Sequence, residues 1–596
     1  MTKNKSNPVP RPDFNKSPFI EVKGCENECF TGWTSIFGEI RHFLSKTDKP
    51  DRVIVIECYQ GVHHDEILQA VRQFLDPELL INTAEAFLSE NKIHELSWPD
   101  VTDDRVFGFM TRLNMSDFLD PVKRDELSER VRSCSAGTIV VYGHGAALIA
   151  PEHDVFIYAD MARWEIQGRM RRNEVGNLGL SNQEESFELQ YKRGFFVDWR
   201  VCDRLKKRTF QQWDFVLDTN LPGQPEMITA HAFRAGLEAA VSQPFSLVPY
   251  FDPGPWGGKW MMEHFDLESP AGNLAWCFNC VPEENSMLLK YGTVLFESPS
   301  INLVFFQPVK LLGHAVHARF GDEFPIRFDF LDTMDGGNLS LQVHPLTEYI
   351  QEKFGMTYTQ DESYYLIDAG EDASVFLGLK KGINPDDMIR DLRRSESEEA
   401  FFDASRYVEN WPARKHDHFL IPGGTVHCSG KNSMVLEISS TPYIFTFKLW
   451  DWGRTGLDGK PRPINIEHGL NVIQWDRVTD WTRAQLINRV VKIGEGNGWT
   501  EEKTGLHERE FIETRRHWFT KKVMHNTRGG VNVLNLVEGR EVIVESPSGA
   551  FDPFVVHYAE TFVIPAAVGE YTIRPFGESE GRQCATIKAF VRTSSC

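Results

Sequence analysis

The sequence predicts a multidomain chain: an N-terminal α/β unit built on a parallel sheet, followed by all-β units of sandwich or barrel type. Three observations carry this. At 596 residues the chain exceeds what one hydrophobic core organises, so about two to four domains are expected. Up to about residue 235, apolar strand-like runs alternate with charged, helix-prone segments, the pattern of a parallel sheet. Beyond that point short aromatic and β-branched runs are punctuated by Gly, Pro and Asp, the pattern of sandwiches and barrels.

The elements follow in order. Arg52 to Gly61 reads as a buried strand ending in a turn, Thr138 to Gly145 as a second and Asp154 to Asp160 as a third. Asp65 to Phe74 is a helix-prone segment between the first two. Together they place a parallel-sheet domain over residues 1–235. Pro249 to Gly258 is loop chemistry, and the β-rich texture after it defines a second domain over 236–499, interrupted by a charged helical stretch at about 383–408. Val531–Val537, Glu541–Ser546, Thr561–Ile564 and Tyr571–Pro575 resume short strands in a third domain over 500–596. No short-period repeat is present.

Composition is that of a globular protein, with 41% hydrophobic and 25% charged residues. The 42 Phe and 15 Trp suit large β-rich cores. A formal net charge of −21 repels nucleic acid and anionic membranes, so neither is an expected partner. An anionic substrate needs a local pocket of Lys and Arg. Met1 to Lys16 is polar and lacks the apolar core of a secretory signal. No run has the length of a membrane span. The ten cysteines are scattered and read as reduced thiols of a cytoplasmic protein. Cys277-Phe278-Asn279-Cys280 is a lone CxxC, better read as a buried structural pair than as a redox or zinc site.

The chemistry concentrates in three places. In Leu339-Ser340-Leu341-Gln342-Val343-His344-Pro345, Gln342 and His344 stand two apart in a strand-like run and leave the same face. Pro422-Gly423-Gly424-Thr425-Val426-His427 is a tight turn that delivers a second histidine into a strand. Between them, Glu362 enters another β-rich run. A lone strand histidine is usually a core residue. An amide oxygen, two imidazoles and a carboxylate converging on one β-rich segment instead make an open site for one divalent metal, most simply zinc, with a position left for water or substrate. His416 and His418, just before the turn, are read as supporting or surface residues.

These residues carry a resemblance. The segment from about 245 to 475 resembles the type I mannose-6-phosphate isomerases of bacteria, which are zinc-dependent cupins. Trp256-Gly257-Gly258, Leu339 to Pro345, Ile421 to His427 and Val435-Leu436-Glu437-Ile438 match motifs of that family in order and approximate spacing. Trp450-Asp451-Trp452-Gly453-Arg454 and Gly459 to Arg462 match as well. The resemblance implies a cupin isomerase unit with Gln342, His344, Glu362 and His427 as metal ligands. Residues 500–596 contain neither a Gln-x-His nor a Pro-x-Gly-x-x-His motif and read as a metal-free cupin-like module. Two positions depart from the family: its lysine before the ligand Glu is Gln360 here, and its active-site arginine is Lys448, which keeps the charge without the planar fork. Lys448 and Arg454 are the candidate catalytic residues, in electrostatic roles; no general base is assigned.

The N-terminal unit resembles P-loop small-molecule kinases in the placement of its first strand and turn. Gly61-Val62-His63-His64-Asp65 lacks the lysine and hydroxyl of a Walker A loop. Arg163 to Arg172 resembles the arginine-rich lid of such kinases; its bland reading is a solvated amphipathic helix. The expectation is a degenerate kinase-like domain without phosphoryl transfer. The function expected of the whole chain is aldose–ketose isomerisation of a phosphorylated hexose, most simply mannose 6-phosphate to fructose 6-phosphate through an enediolate. The alternatives are a non-catalytic protein that senses sugar phosphates and nucleotides, and an isomerase for another sugar. Oligomeric state is not legible.

Overall fold

The computed structural model describes residues 13–46, 49–396, 400–440, 444–455, 462, 464–505, 507–508 and 510–593; Gly459, Lys460 and Pro461 of the Gly-Lys-Pro-Arg motif, and Cys596, lie outside them. The Asp51–Cys58 strand sits inside a seven-stranded sheet. Ile54, Val55 and Ile56 are buried, as a parallel strand covered on both faces requires. In space the parallel strands run Leu79–Asn82, Gly137–Gly143, Asp51–Cys58, Val155–Asp160 and Phe215–Asp218. Glu226–Thr229 and Cys29–Thr31 add antiparallel pairings at one edge. Gly61, at φ +96°, makes the turn after the central strand, and a Cβ there would stand 2.8 Å from Ile166. The helix His64–Leu75 follows, with Asp65 and Glu66 in its first turn.

The helix Arg163–Arg171 is not solvated. Arg163 is 3% and Arg169 0% exposed. Arg169 donates to Glu165 at 2.9 Å, to the Gly61 carbonyl at 2.8 Å and to the Thr219 carbonyl at 2.7 Å. Its charge is spent on tying the helix to the turn after the central strand. Arg169→Ala is therefore expected to cost about 3–5 kcal/mol, because it leaves three buried carbonyls, at Gly61, Thr219 and Asn220, without this donor and Glu165 with Arg172 as its remaining cation. Arg172→Ala, whose side chain is 48% exposed, should cost under about 1 kcal/mol. Urea unfolding of the two variants decides this, and equal costs would contradict it.

Two antiparallel sheets built from residues 250–450 frame the candidate site, beside a three-stranded sheet of Phe19–Glu21, Ser286–Tyr291 and Val294–Pro299. One has six strands, in the order His418–Ile421, Glu362–Ala369, Ser433–Ser439, Arg327–Asp332, Trp276–Cys280, Tyr250–Asp252. The other has five, in the order Val408–Pro412, Ser374–Leu379, His427–Ser429, Leu341–Val343, Phe447–Trp450. Side chains of the two meet between them, among them Glu362 from the first and His427 from the second. The charged stretch before Val408 forms the helix Pro385–Glu396.

From Val491 onward the chain forms a six-stranded and a four-stranded sheet. They enclose a core of their own, including Leu534, Val544, Phe562 and Tyr571. Phe245, just after the N-terminal unit, exchanges both backbone hydrogen bonds with Val563 there, at 3.1 and 2.7 Å. The chain is thus an assembly of mixed and antiparallel sheets, α/β first and β-rich after. Among the described residues no helix is long and apolar enough to cross a membrane.

Candidate metal centre

Leu341 and Val343 are fully buried in the core. Strand alternation therefore sends Gln342 and His344 to the other face. The Pro422–Thr425 turn is held against them: the Gly424 amide, at φ +87°, donates to the His344 carbonyl at 2.9 Å. The Gly423 amide donates to Asp361 at 2.8 Å. The turn thereby sets His427 opposite Gln342 in the strand register.

Three of the four expected ligands converge closely. Glu362 places one carboxylate oxygen 3.0 Å from His344 Nε2 and the other 2.9 Å from His427 Nε2. The side chains of all three are fully buried. The Gln342 amide lies 3.3 Å from His427 Nε2. Which of its terminal atoms faces the centre is an assignment, and turning the amide about presents the oxygen. On the outer side, His344 Nδ1 lies 3.1 Å from the Phe445 carbonyl and His427 Nδ1 lies 2.9 Å from the Thr425 carbonyl. Those carbonyls accept from the Nδ1 side of each ring, which turns both Nε2 atoms towards one point. This is the arrangement that fixes metal-bound imidazoles, and the two-nitrogen, two-oxygen donor set fits zinc. The Gln360 amide donates to Glu362 at 2.9 Å.

Burial works against ionisation of Glu362, but the flanking His344 and His427 outweigh it and hold the carboxyl well below the usual range. The reverse holds for two neighbours. Burial, with Glu362 nearby, pushes Asp329 well up. Burial, then Asp329 and Glu362, does the same to Glu437.

Asp329 and Glu437 line a cavity of about 370 Å³ beside the centre, together with Gln342, Gln360 and Lys448. They are directly opposite each other on adjacent strands. Sequence reasoning singled out neither as a site candidate. The available signal was a carboxylate inside an apolar strand run, Phe328-Asp329-Phe330 and Leu436-Glu437-Ile438. Lys448 stands opposite Gln342 in register. Burial, reinforced by Arg462, brings its pKa down to about 8. Arg454 is placed elsewhere: it is bound to Asp451 and to the Asn338 carbonyl at 2.7 Å, and does not line this cavity. Arg462, 3.0 Å from the other Asp451 oxygen, does. His418 is buried against Tyr365, and His416 meets Tyr365 and Glu538; neither joins the centre. Cys277 and Cys280 are buried free thiols.

A second cavity, of about 570 Å³, opens in the N-terminal unit beside Gly61, His63, His64 and His144. Burial holds His64 down to about 4 and His144 to about 3, so both are neutral at pH 7. No Lys or Arg is among the described residues that line it.

Comparison with known proteins gives two kinds of likeness. Residues 32–242 match a domain of unknown function (DUF8485). The mannose-6-phosphate isomerase ManA of Bacillus subtilis is 25% identical over 233 residues, 39% of this chain and 69% of that protein. The mannose-6-phosphate isomerase of Streptococcus mutans is 26% identical over 233 residues, 39% of this chain and 68% of that protein. Among solved structures, the Bacillus subtilis mannose 6-phosphate isomerase gives a TM-score of 0.46 at 18% identity, covering 58% of this chain and 99% of that one. A mannose 6-phosphate isomerase bound with zinc and yttrium gives 0.43 at 12% identity, covering 58% and 99%.

Proposed function

We propose that the chain is a metal-dependent aldose–ketose isomerase acting on a phosphorylated hexose, most simply interconverting mannose 6-phosphate and fructose 6-phosphate. One observation carries the reading: His344, Glu362 and His427 bring three ligand atoms within 4.8 Å of one another, at the edge of a cavity that also holds cations and carboxyls. The sequence relatives named as mannose-6-phosphate isomerases support it.

Gln342, His344, Glu362 and His427 would hold the ion, which when bound supplies Lewis-acid stabilisation of charge on the sugar's carbonyl and hydroxyl oxygens. The chain's own groups do the rest. Isomerisation moves a proton from C2 to C1, and a positioned acid–base group carries it. Asp329 and Glu437, facing the cavity as a cross-strand pair, are the groups placed to do so. Lys448 and Arg462 supply positive charge for the developing enediolate or the phosphate. Arg454 acts at a remove, by fixing Asp451 between itself and Arg462. The N-terminal unit carries out no phosphoryl transfer. Its turn offers neutral histidines and the acidic Asp65 and Glu66 where a polyphosphate needs cations.

The test is an assay of the purified chain with mannose 6-phosphate, with and without chelator and added zinc. Fructose 6-phosphate should form, stop on chelation and return with metal. Tight metal and sugar-phosphate binding without turnover would establish the sensing alternative instead.

A further inference from the structure

The cavity beside the metal centre runs on past the Glu437–Asp329 pair to Phe278 and Tyr250, and its far wall belongs to the N-terminal unit. Tyr364, Glu437, Asp329, Phe278 and Tyr250 are directly opposite one another across five successive strands. They form one row on one face of the six-stranded sheet, and the last four line the cavity. Strands stand about 4.8 Å apart, so the row covers about 19 Å from the Glu362 strand to the Tyr250 strand. An extended chain advances about 3.5 Å per three bonds, so the seven bonds from C1 to phosphorus of an open-chain hexose 6-phosphate span about 8 Å. Such a substrate, with its carbonyl at Glu362, fills the near half.

The far half has its own chemistry. The helix Arg163–Arg171 sends Arg171 to the Tyr250 hydroxyl at 3.0 Å and to Asp252 at 3.3 Å. The same guanidinium lies over Phe187 at 4.4 Å, and Tyr191 extends that aromatic wall. Opposite, Tyr250 and Phe278 stack with centroids 5.9 Å apart. Arg171 is offset by Asp252, and Glu188 also lines the wall, so this end has no net positive field for a phosphate. Paired aromatic faces with a fork of donors and acceptors match the C–H faces and hydroxyls of a pyranose.

We infer that this far wall is a second sugar subsite, which takes a further uncharged sugar residue linked to a hexose whose reducing end lies at the metal centre. The inference rests on the isomerase reading only for which end reacts. The test measures the dissociation constants of mannose, mannose 6-phosphate and the 1,3-, 1,4- and 1,6-linked mannobioses on the full, metal-loaded chain by calorimetry. Turnover of mannose 6-phosphate is followed in parallel. At least one mannobiose should bind about ten times more tightly than mannose. Arg171→Ala and Phe187→Ala should each erase that advantage and leave mannose and mannose 6-phosphate unchanged. Equal affinity for mannose and every mannobiose overturns the subsite. So does a loss in the variants that falls equally on mannose 6-phosphate, which would make the far wall the phosphate grip. Absent turnover with the mannobiose advantage intact would remove the isomerase reading and leave the subsite standing.

Discussion

Alanine at both His344 and His427 is expected to empty the metal centre, taking bound metal from one ion per chain to below about a tenth. Turnover should fall on the order of a thousandfold. The reason is the shape of the site. Each imidazole is oriented by a backbone carbonyl, at Phe445 and Thr425, so both ring nitrogens that face the centre are lost with the two side chains. The harder question is whether lost metal merely reports lost folding. Removing both histidines strands Glu362, fully buried, without a counter-charge, and breaking a buried pair this way costs about 3–5 kcal/mol. A third change separates the effects. Glu362→Gln in the same background removes the stranded charge and should recover most of the stability while metal stays absent. Plasma emission spectroscopy and urea unfolding on the three variants read the two quantities independently. Full metal occupancy in the double variant would remove the assignment.

The same site shows what a sequence conveys. The convergence of Gln342, His344, Glu362 and His427 was legible because their placement is local: a two-residue strand spacing and a Pro-x-Gly-x-x-His turn each fix one direction. The central strands of both halves were legible for the same reason, since an apolar run such as Val53 to Ile56 dictates burial by itself. Asp329 and Glu437 were not, because their meaning comes from strand register between segments more than a hundred residues apart. Nor was the helix Arg163–Arg171. Its polar sequence reads as a solvated face, and only carbonyls at residues 61, 219 and 220 reveal that Arg169 is an interior tie. Arg454 shows the converse. A motif put it near the chemistry, whereas its partners, Asp451 and Asn338, hold it outside the cavity.

Lys448 should give activity an alkaline limit. Its pKa is brought down to about 8, against about 10.4 in an unfolded chain. The folded side chain is therefore a cation below pH 8 and neutral above. If its charge stabilises the enediolate or the phosphate, turnover falls about tenfold per pH unit above 8. Lys448→Arg keeps a cation at every accessible pH and should abolish that limb, though its wider fork need not match the neutral-pH rate. Lys448→Met should lose on the order of a hundredfold in turnover even at pH 7, with metal content unchanged. The linkage to stability runs the other way. A lysine whose folded pKa is depressed destabilises the fold fully below pH 8, and the penalty lifts as pH rises toward 10.4, because between those values the unfolded chain binds more protons. Lys448→Met removes the penalty, so at pH 7 it should be more stable than the natural chain by about 1–3 kcal/mol. Lower activity with higher stability is the signature of a buried charge kept for chemistry. A Met variant that loses stability and activity together, or a pH profile identical to that of the natural chain, would assign Lys448 a packing role and leave Arg462 as the cation that meets the substrate.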